Sequence, residues 1–456
     1  MQVLLISANR ERSPYPVAPL GIAYVAASLI EAGHRVRVLD LCFEDDGPAA
    51  AAAAARSFGA DLIGLSIRNV DNLTYPASVF YLPAAREVVA RLKEVSDAPV
   101  VVGGPGFSIF PREVLAYTGA DYGIRGEGEG SLVRLVEALE GGGDVDGVPN
   151  LLRPGGGAKG TARFDEDFGR LAPARSLLDN GRYLEEGGMG SVQTKRGCPF
   201  SCTYCTYPMI EGRRLRLREP AEVAEEIEAL AGRHGVDYIF FVDDIFNSPE
   251  EHAHLICEEM IRRNIRVRWT CFATPRTMSA ALLDVMKRAG CMAVEFGTDG
   301  GGDSTLAALD KGFTADDVAR AQHLCDRAGL EAAHYLILGG PGETEQTLAG
   351  TFSFMERIRP RAVIAMLGVR VYPGTGLAGR ALEEGVIGRG EPLLEPVFYF
   401  SPHLPARRLV EMVREYALSR PNWIVPGLHI RTGAETVAML RRLGRRGPLW
   451  DLLARG

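Results

Sequence analysis

The chain has 456 residues, 46% of them hydrophobic and 24% charged, the balance of a globular enzyme and more than one ordinary domain holds. No apolar run approaches the roughly 20 residues of a membrane span, and the opening MQVLLISANRERSP runs from apolar to charged, the reverse of a secretory signal. With 51 basic and 58 acidic residues the net charge is −7, which disfavours a phosphate backbone as partner; a cytoplasmic protein with neither a membrane span nor a nucleic-acid substrate is expected.

In chain order, residues 2–7 (QVLLIS) read as a strand and residues 20–32 show helical spacing of apolar positions, closed by Gly33. Strands follow at 35–40, 62–67, 99–104 and 122–126, separated by helical segments such as 83–95 and 130–140. Alternation of this kind predicts a doubly wound parallel sheet over residues 1–142, with ligands beyond the carboxyl ends of its strands. The glycine-rich turns Gly103-Gly104-Pro105-Gly106 and Gly126-Glu127-Gly128-Glu129-Gly130 fall at those ends. Residues 143–187, rich in Gly, Pro and Asp, read as a linker, and about six further β/α units run over 188–392, short of the eight of a closed barrel. Residues 393–456 read as a basic helical extension, with Pro392–Ser401 and these helices closing the barrel mouth and offering Tyr399 and His403 as polar groups.

Eight cysteines do not form a disulfide pattern: five are scattered in apolar surroundings, and three crowd into Lys195-Arg-Gly-Cys198-Pro-Phe-Ser-Cys202-Thr-Tyr-Cys205. This loop follows the first strand of the second unit, where three thiolates can take one face of a cubane iron–sulfur cluster and leave one iron open. Zinc is the alternative, but a closed structural site needs a fourth ligand at short range, and the next cysteine is Cys257. Arg213, Arg214, Arg216 and Arg218 alternate with apolar residues just beyond, the pattern of a strand flanking an anionic cofactor or, less simply, of an RNA-facing stripe.

The spacing C-x3-C-x2-C, with Tyr204 before the third cysteine, resembles that of the radical S-adenosylmethionine (SAM) superfamily. The resemblance implies a [4Fe–4S] cluster on Cys198, Cys202 and Cys205 whose open iron chelates the methionine part of SAM. Reductive cleavage would then give methionine and a 5′-deoxyadenosyl radical, with an electron donor such as flavodoxin or ferredoxin as partner. Later segments fit the same order and imply SAM contacts at Tyr204, Asp243 or Asp244, Arg276, Glu295, Asp299, Gly339, Gly340 and Tyr372. Asp244 could equally cap a helix and Arg276 could lie on the surface.

Together with the first domain, the chain to about residue 400 resembles cobalamin-dependent radical SAM enzymes. That implies corrin contacts at Leu20, Ser66, Arg68, Asn69, Asn72, Gly103, Gly104, Gly126, Glu127 and Gly128. The Asp-x-His-x-x-Gly motif that supplies a histidine ligand in other cobalamin proteins is absent, and His34 sits in a helix-end turn. Cobalamin would then be held without histidine ligation, with residues 68–72 towards its lower side. The expected activity is methylation of an unactivated carbon of a small molecule through methylcobalamin; a non-methylating rearrangement, cyclisation or oxidation is the alternative.

Overall fold

The computed structural model describes residues 1–156, 162–166, 168–169, 171–432 and 447–453. Strands β1 (Gln2–Ser7), β2 (Arg35–Asp40), β3 (Leu62–Ser66), β4 (Val100–Gly103), β5 (Tyr122–Ile124) and β6 (Leu151–Leu152) form one sheet in the order β2-β1-β3-β4-β5-β6. Only β6 runs antiparallel, and it comes from the stretch read as linker. Two core clusters cover the sheet's faces, one centred on Leu4, Ile63 and Val100 and the other on Val3, Leu62 and Val101, which is why these strands read as unbroken apolar runs. The strand order reverses between β1 and β3, the position at which such sheets bind ligands.

The second sheet is built from β7 (Gly190–Val192), and the chain then leaves it in a ribbon of β8 (Lys195–Arg196) and β9 (Arg216–Leu217). It continues through β10 (Tyr238–Phe241), β11 (Arg268–Ala273), β12 (Cys291–Asp299), β13 (Glu331–Leu338) and β14 (Ala362–Leu367). A side ribbon follows, β15 (Val369–Arg370) with β16 (Phe398–Tyr399), and β17 (Trp423–Ile424) then adds to β14. The resulting parallel sheet, β17-β14-β13-β12-β11-β10-β7, is an open partial barrel. Phe241, Trp269 and Phe296 pack outward among the helices, so by alternation Phe240, Phe272, Glu295 and Tyr335 face the lumen. Thr314 and Thr344 start two of the outer helices with reciprocal capping boxes.

Three corrections to the sequence reading concern this half. The cysteine loop does not follow the first strand of this unit directly: that strand ends at Val192, and the loop is the tip of the β8–β9 ribbon. The extension is not purely helical, since it supplies β17, and its last described helix (Leu449–Leu453) packs Trp450 against Ala293, Ala333 and Ala362 near the strand starts rather than at the mouth. The helix expected over 435–446 lies outside the described residues. Tyr399 is fully buried with its hydroxyl donating to Glu384 at 2.5 Å, while His403 is exposed. No helix among the described residues is long and apolar enough to cross a membrane.

The two halves meet through buried ion pairs. Asp71, on the loop after β3, accepts from Arg370 of β15 at 2.9 Å, both side chains being sealed from solvent. Tyr75 of the same loop packs on Phe398 and Phe400.

Candidate active site

Gly197 makes the cysteine loop possible. Its φ is +93°, and a Cβ there would stand 2.1 Å from the carbonyl oxygen of Arg214, so only glycine closes the ribbon. Beyond it the Cys198 amide donates to the Gly212 carbonyl at 3.0 Å and the Cys205 amide to Cys202 at 3.1 Å, a turn that gathers the three thiols. Burial pushes the Cys198 thiol up to about 11 and Cys205 up to about 12, and the neighbouring sulfurs add to it. Iron must therefore displace protons on binding. Among the described residues no three Cys, His, Asp or Glu side chains converge on a single metal ion. A cubane makes no such demand, because each thiolate binds a different iron, so the donor set fits a cluster.

Asp243 and Asp244, just past β10, have different surroundings. Asp243 accepts from the Thr194 amide at 2.6 Å and from the Thr194 hydroxyl, and lies 3.9 Å from the buried Lys195 ammonium. Lys195 in turn donates to the carbonyls of Ile245, Phe246 and Ser248 and so shapes the loop. Both carboxylate oxygens of Asp244 are buried, and neither is hydrogen-bonded among the described residues. Burial, then repulsion from Glu211 and Asp243, pushes its carboxyl far above the usual range, and its charge is felt at Cys198 and Cys205. An orphaned buried carboxylate facing the cysteines fits the cationic amino group of SAM.

Tyr204 donates to Asp299, whose carboxylate pairs with Lys311 at 2.5 Å. Lys311 was missed from sequence; it lies in a loop 106 residues beyond Cys205 and no local motif marks it. Gly339 and Gly340 end β13, where Glu343 accepts from the Gly339 amide and keeps its other oxygen buried and unpaired among the described residues. Arg276 is exposed on the short helix after β11. Tyr372 turns towards the first domain, its ring tilted at 54° against Phe110 and beneath the Arg370 guanidinium.

A cavity of about 490 Å³ lies between the two halves. Leu20, Ser66, Arg68, Asn69 and Gly103 line it, as do Gly104, Gly126, Glu127 and Gly128. Tyr372 is also on its wall. Asn72 is not: its amide is spent on the Ala77 carbonyl and the Val79 amide, which ties the loop to itself. Gly104 has φ +94°, and a Cβ would press within 2.8 Å of the Ile67 carbonyl, so the wall runs bare backbone past the strand ends as a flat macrocycle requires. Among the described residues no histidine lines the cavity; His34 sits away from it, beside the N-terminus and Glu140. The barrel side of the wall includes Gln193, Arg196, Thr206, Tyr207, Ile210 and Glu211, residues that flank the cysteines in sequence.

Glu295 is four residues below the end of β12, roughly 13 Å down the lumen. It accepts from Tyr335 at 2.6 Å, with Thr270 and the Trp450 indole alongside, and burial pushes its carboxyl up to about 7. Its folded pKa therefore exceeds that of the unfolded chain. The stability held by the neutral acid is complete below about pH 4.5 and is lost as pH rises through 7, ~3 kcal/mol in all. Glu295→Gln is expected to match the parent's melting temperature near pH 5 and exceed it near pH 8; melting curves that stay parallel across this range would refute the assignment.

Residues 6–136 match the B12 binding domain family and residues 192–355 the Radical SAM superfamily. The chain is 26% identical over 449 residues to tryptophan 2-C-methyltransferase of Streptomyces laurentii, covering 84% of this chain and 74% of that one. It superposes on the radical SAM methyltransferase TsrM of Kitasatospora setae, solved with cobalamin and a [4Fe–4S] cluster, with a TM-score of 0.88 and 25% identity, over 100% of this chain and 97% of the other. The cobalamin-dependent radical SAM enzyme OxsB shares the fold at 18% identity and a TM-score of 0.67, over 91% of this chain and 61% of its own. With the cysteine loop and the cavity between the halves sharing one wall, the chain belongs to the cobalamin-dependent radical SAM enzymes, whose cofactors are a [4Fe–4S] cluster, SAM and cobalamin.

Proposed function

We propose that the chain is a C-methyltransferase acting on a small molecule. One observation carries this reading: the segment 193–211 that holds the three cysteines is also a wall of the corrin cavity, so both cofactors face one reaction space. Of the relatives named above, one is a C-methyltransferase of tryptophan and another, TsrM, is a methyltransferase. When bound, the cluster with SAM supplies a carbon-centred radical and the corrin supplies the methyl group.

The protein's own residues bind, orient and exclude water. Cys198, Cys202 and Cys205 hold the cluster, and Asp244 takes the amino group of SAM, with Tyr204, Asp299, Gly339 and Gly340 around the mouth and Arg276 at its rim. Asp243 and Glu295 support the barrel. On the corrin side, Arg68, Asn69 and the glycines after β4 and β5 would hold the cofactor, with no imidazole among the described residues of the wall. The lumen group of Tyr15, Phe240, Phe272 and Tyr335 suits a flat, largely apolar substrate. A flavodoxin or ferredoxin supplies the electron. Eight cysteines outside any disulfide support a reducing, cytoplasmic setting.

The test is anaerobic reconstitution with iron, sulfide and hydroxocobalamin, followed by turnover with methyl-labelled SAM on candidate small molecules, starting from tryptophan. A product carrying the label is expected. A protein that retains no corrin absorbance, or a product formed without label, would overturn the reading.

A further inference from the structure

Half of the arginine stripe after the cysteines is spent inside the protein. Arg213 and Arg214 point outward, to the Phe200 carbonyl and to Glu166, while Arg216 and Arg218 point inward to carboxylates. The inward Arg216 belongs to a buried cluster that spans the two halves. Arg196 of β8 reaches Glu127 at 3.1 Å and Glu129 at 2.8 Å, and Arg216 of β9 reaches Glu127 at 2.7 Å. Glu127 also accepts from the Asp165 amide at 2.8 Å, and Arg216 donates to the carbonyls of Asp165 and Glu211. Side-chain exposures of 8%, 7%, 5% and 18% for Arg196, Glu127, Arg216 and Glu129 leave little room for water to substitute.

Each element here has a cofactor duty. Glu127 and Glu129 stand on the turn after β5 that lines the corrin cavity, and Arg196 lines the same cavity two residues before Cys198. Each guanidinium gives Glu127 one nitrogen and spends the other on a neighbour, Glu129 for Arg196 and the Glu211 carbonyl for Arg216, so the planar forks fix direction as well as distance. Burying four charges gains little net stability, and the better attested use of such clusters is to enforce a single register. The Asp71–Arg370 pair also joins the halves, but it holds β15 and not the cysteine loop.

We propose that Glu127 is a positioning residue: through Arg196 and Arg216 it locks the cysteine-bearing ribbon at one distance from the corrin cavity. The proposal rests on both cofactors being bound, as in the reading above. Glu129 plays the lesser part, since it touches only Arg196 in this cluster.

The test uses the full chain, reconstituted with iron and sulfide, loaded with hydroxocobalamin and reduced until corrin cobalt and cluster are both paramagnetic. Pulsed electron paramagnetic resonance then reads the distance distribution between them. The parent is expected to give one narrow distribution. Glu127→Ala, loaded with iron and corrin to the parent's content, should spread the distribution by about 1 Å or more, the scale on which a site without its supports loosens. Glu129→Ala should spread it less. If Glu127→Ala fails to assemble, Arg216→Lys, which keeps the charge and loses the fork, must give the spread instead. An unchanged distribution in an assembled Glu127→Ala or Arg216→Lys protein would overturn the proposal. A parent that binds no corrin would sink the functional reading instead, and the two failures are told apart by absorbance alone.

Discussion

Alanine in place of Cys202 is expected to abolish both the broad iron–sulfur absorbance and the release of 5′-deoxyadenosine from SAM under dithionite, while uptake of hydroxocobalamin persists. The separation follows from where the groups sit. The corrin cavity is walled by the ends of β1, β3, β4 and β5 and by the flanks of the cysteine loop, and none of the three sulfur-bearing residues lines it. Cys202 is only half-buried and belongs to no hydrophobic cluster, so its loss leaves the core intact. With two thiolates left, a cubane retains too few anchors to hold against solvent. Cys325→Ala is the matched control. Its sulfur lies in the apolar core between barrel and helices, and its removal should leave the iron content unchanged. A Cys202→Ala protein that still assembles the cluster and cleaves SAM would refute the ligand assignment.

The strand ends and the cysteine spacing were legible in the sequence because both are local. β1 and β3 read as apolar runs since each is covered on both faces, and a loop that binds three irons needs its thiols within eight residues. What sequence reading missed depends on partners far along the chain. Arg216 finds Glu127 from 89 residues away and Arg370 finds Asp71 from 299 away, so a basic stripe looked like a surface for anions when half of it is an internal clamp. Tyr372 follows a strand-end turn that suited SAM, yet the ribbon of β15 and β16 carries it over to Phe110 of the other domain. Asn72 sits in a polar run that suited a corrin wall, and instead spends its amide holding its own loop. The two-residue strand Trp423–Ile424 is too short to carry a period and is defined only by its pairing with β14.

The adjacent carboxylates after β10 looked interchangeable in sequence and should behave in opposite ways when neutralised. Asp243→Asn removes the countercharge of Lys195, whose ammonium stays buried among three carbonyls. Stranding one member of a buried pair costs about 3–5 kcal/mol, so this variant should unfold at clearly lower temperature and lose cluster assembly along with its fold. Asp244→Asn relieves a carboxylate that is unpaired among the described residues and is repelled by Glu211 and Asp243. Near neutral pH that charge opposes folding, since its folded pKa stands above the unfolded one and the stability of the neutral form is lost as pH rises. The variant should therefore melt at or above the parent's temperature. Its defect should appear in SAM alone, as a weaker dissociation constant and slower 5′-deoxyadenosine release at low SAM that recovers towards saturation. Calorimetry beside SAM titration separates the two residues, and an Asp244→Asn protein that is destabilised yet binds SAM normally would reverse their roles.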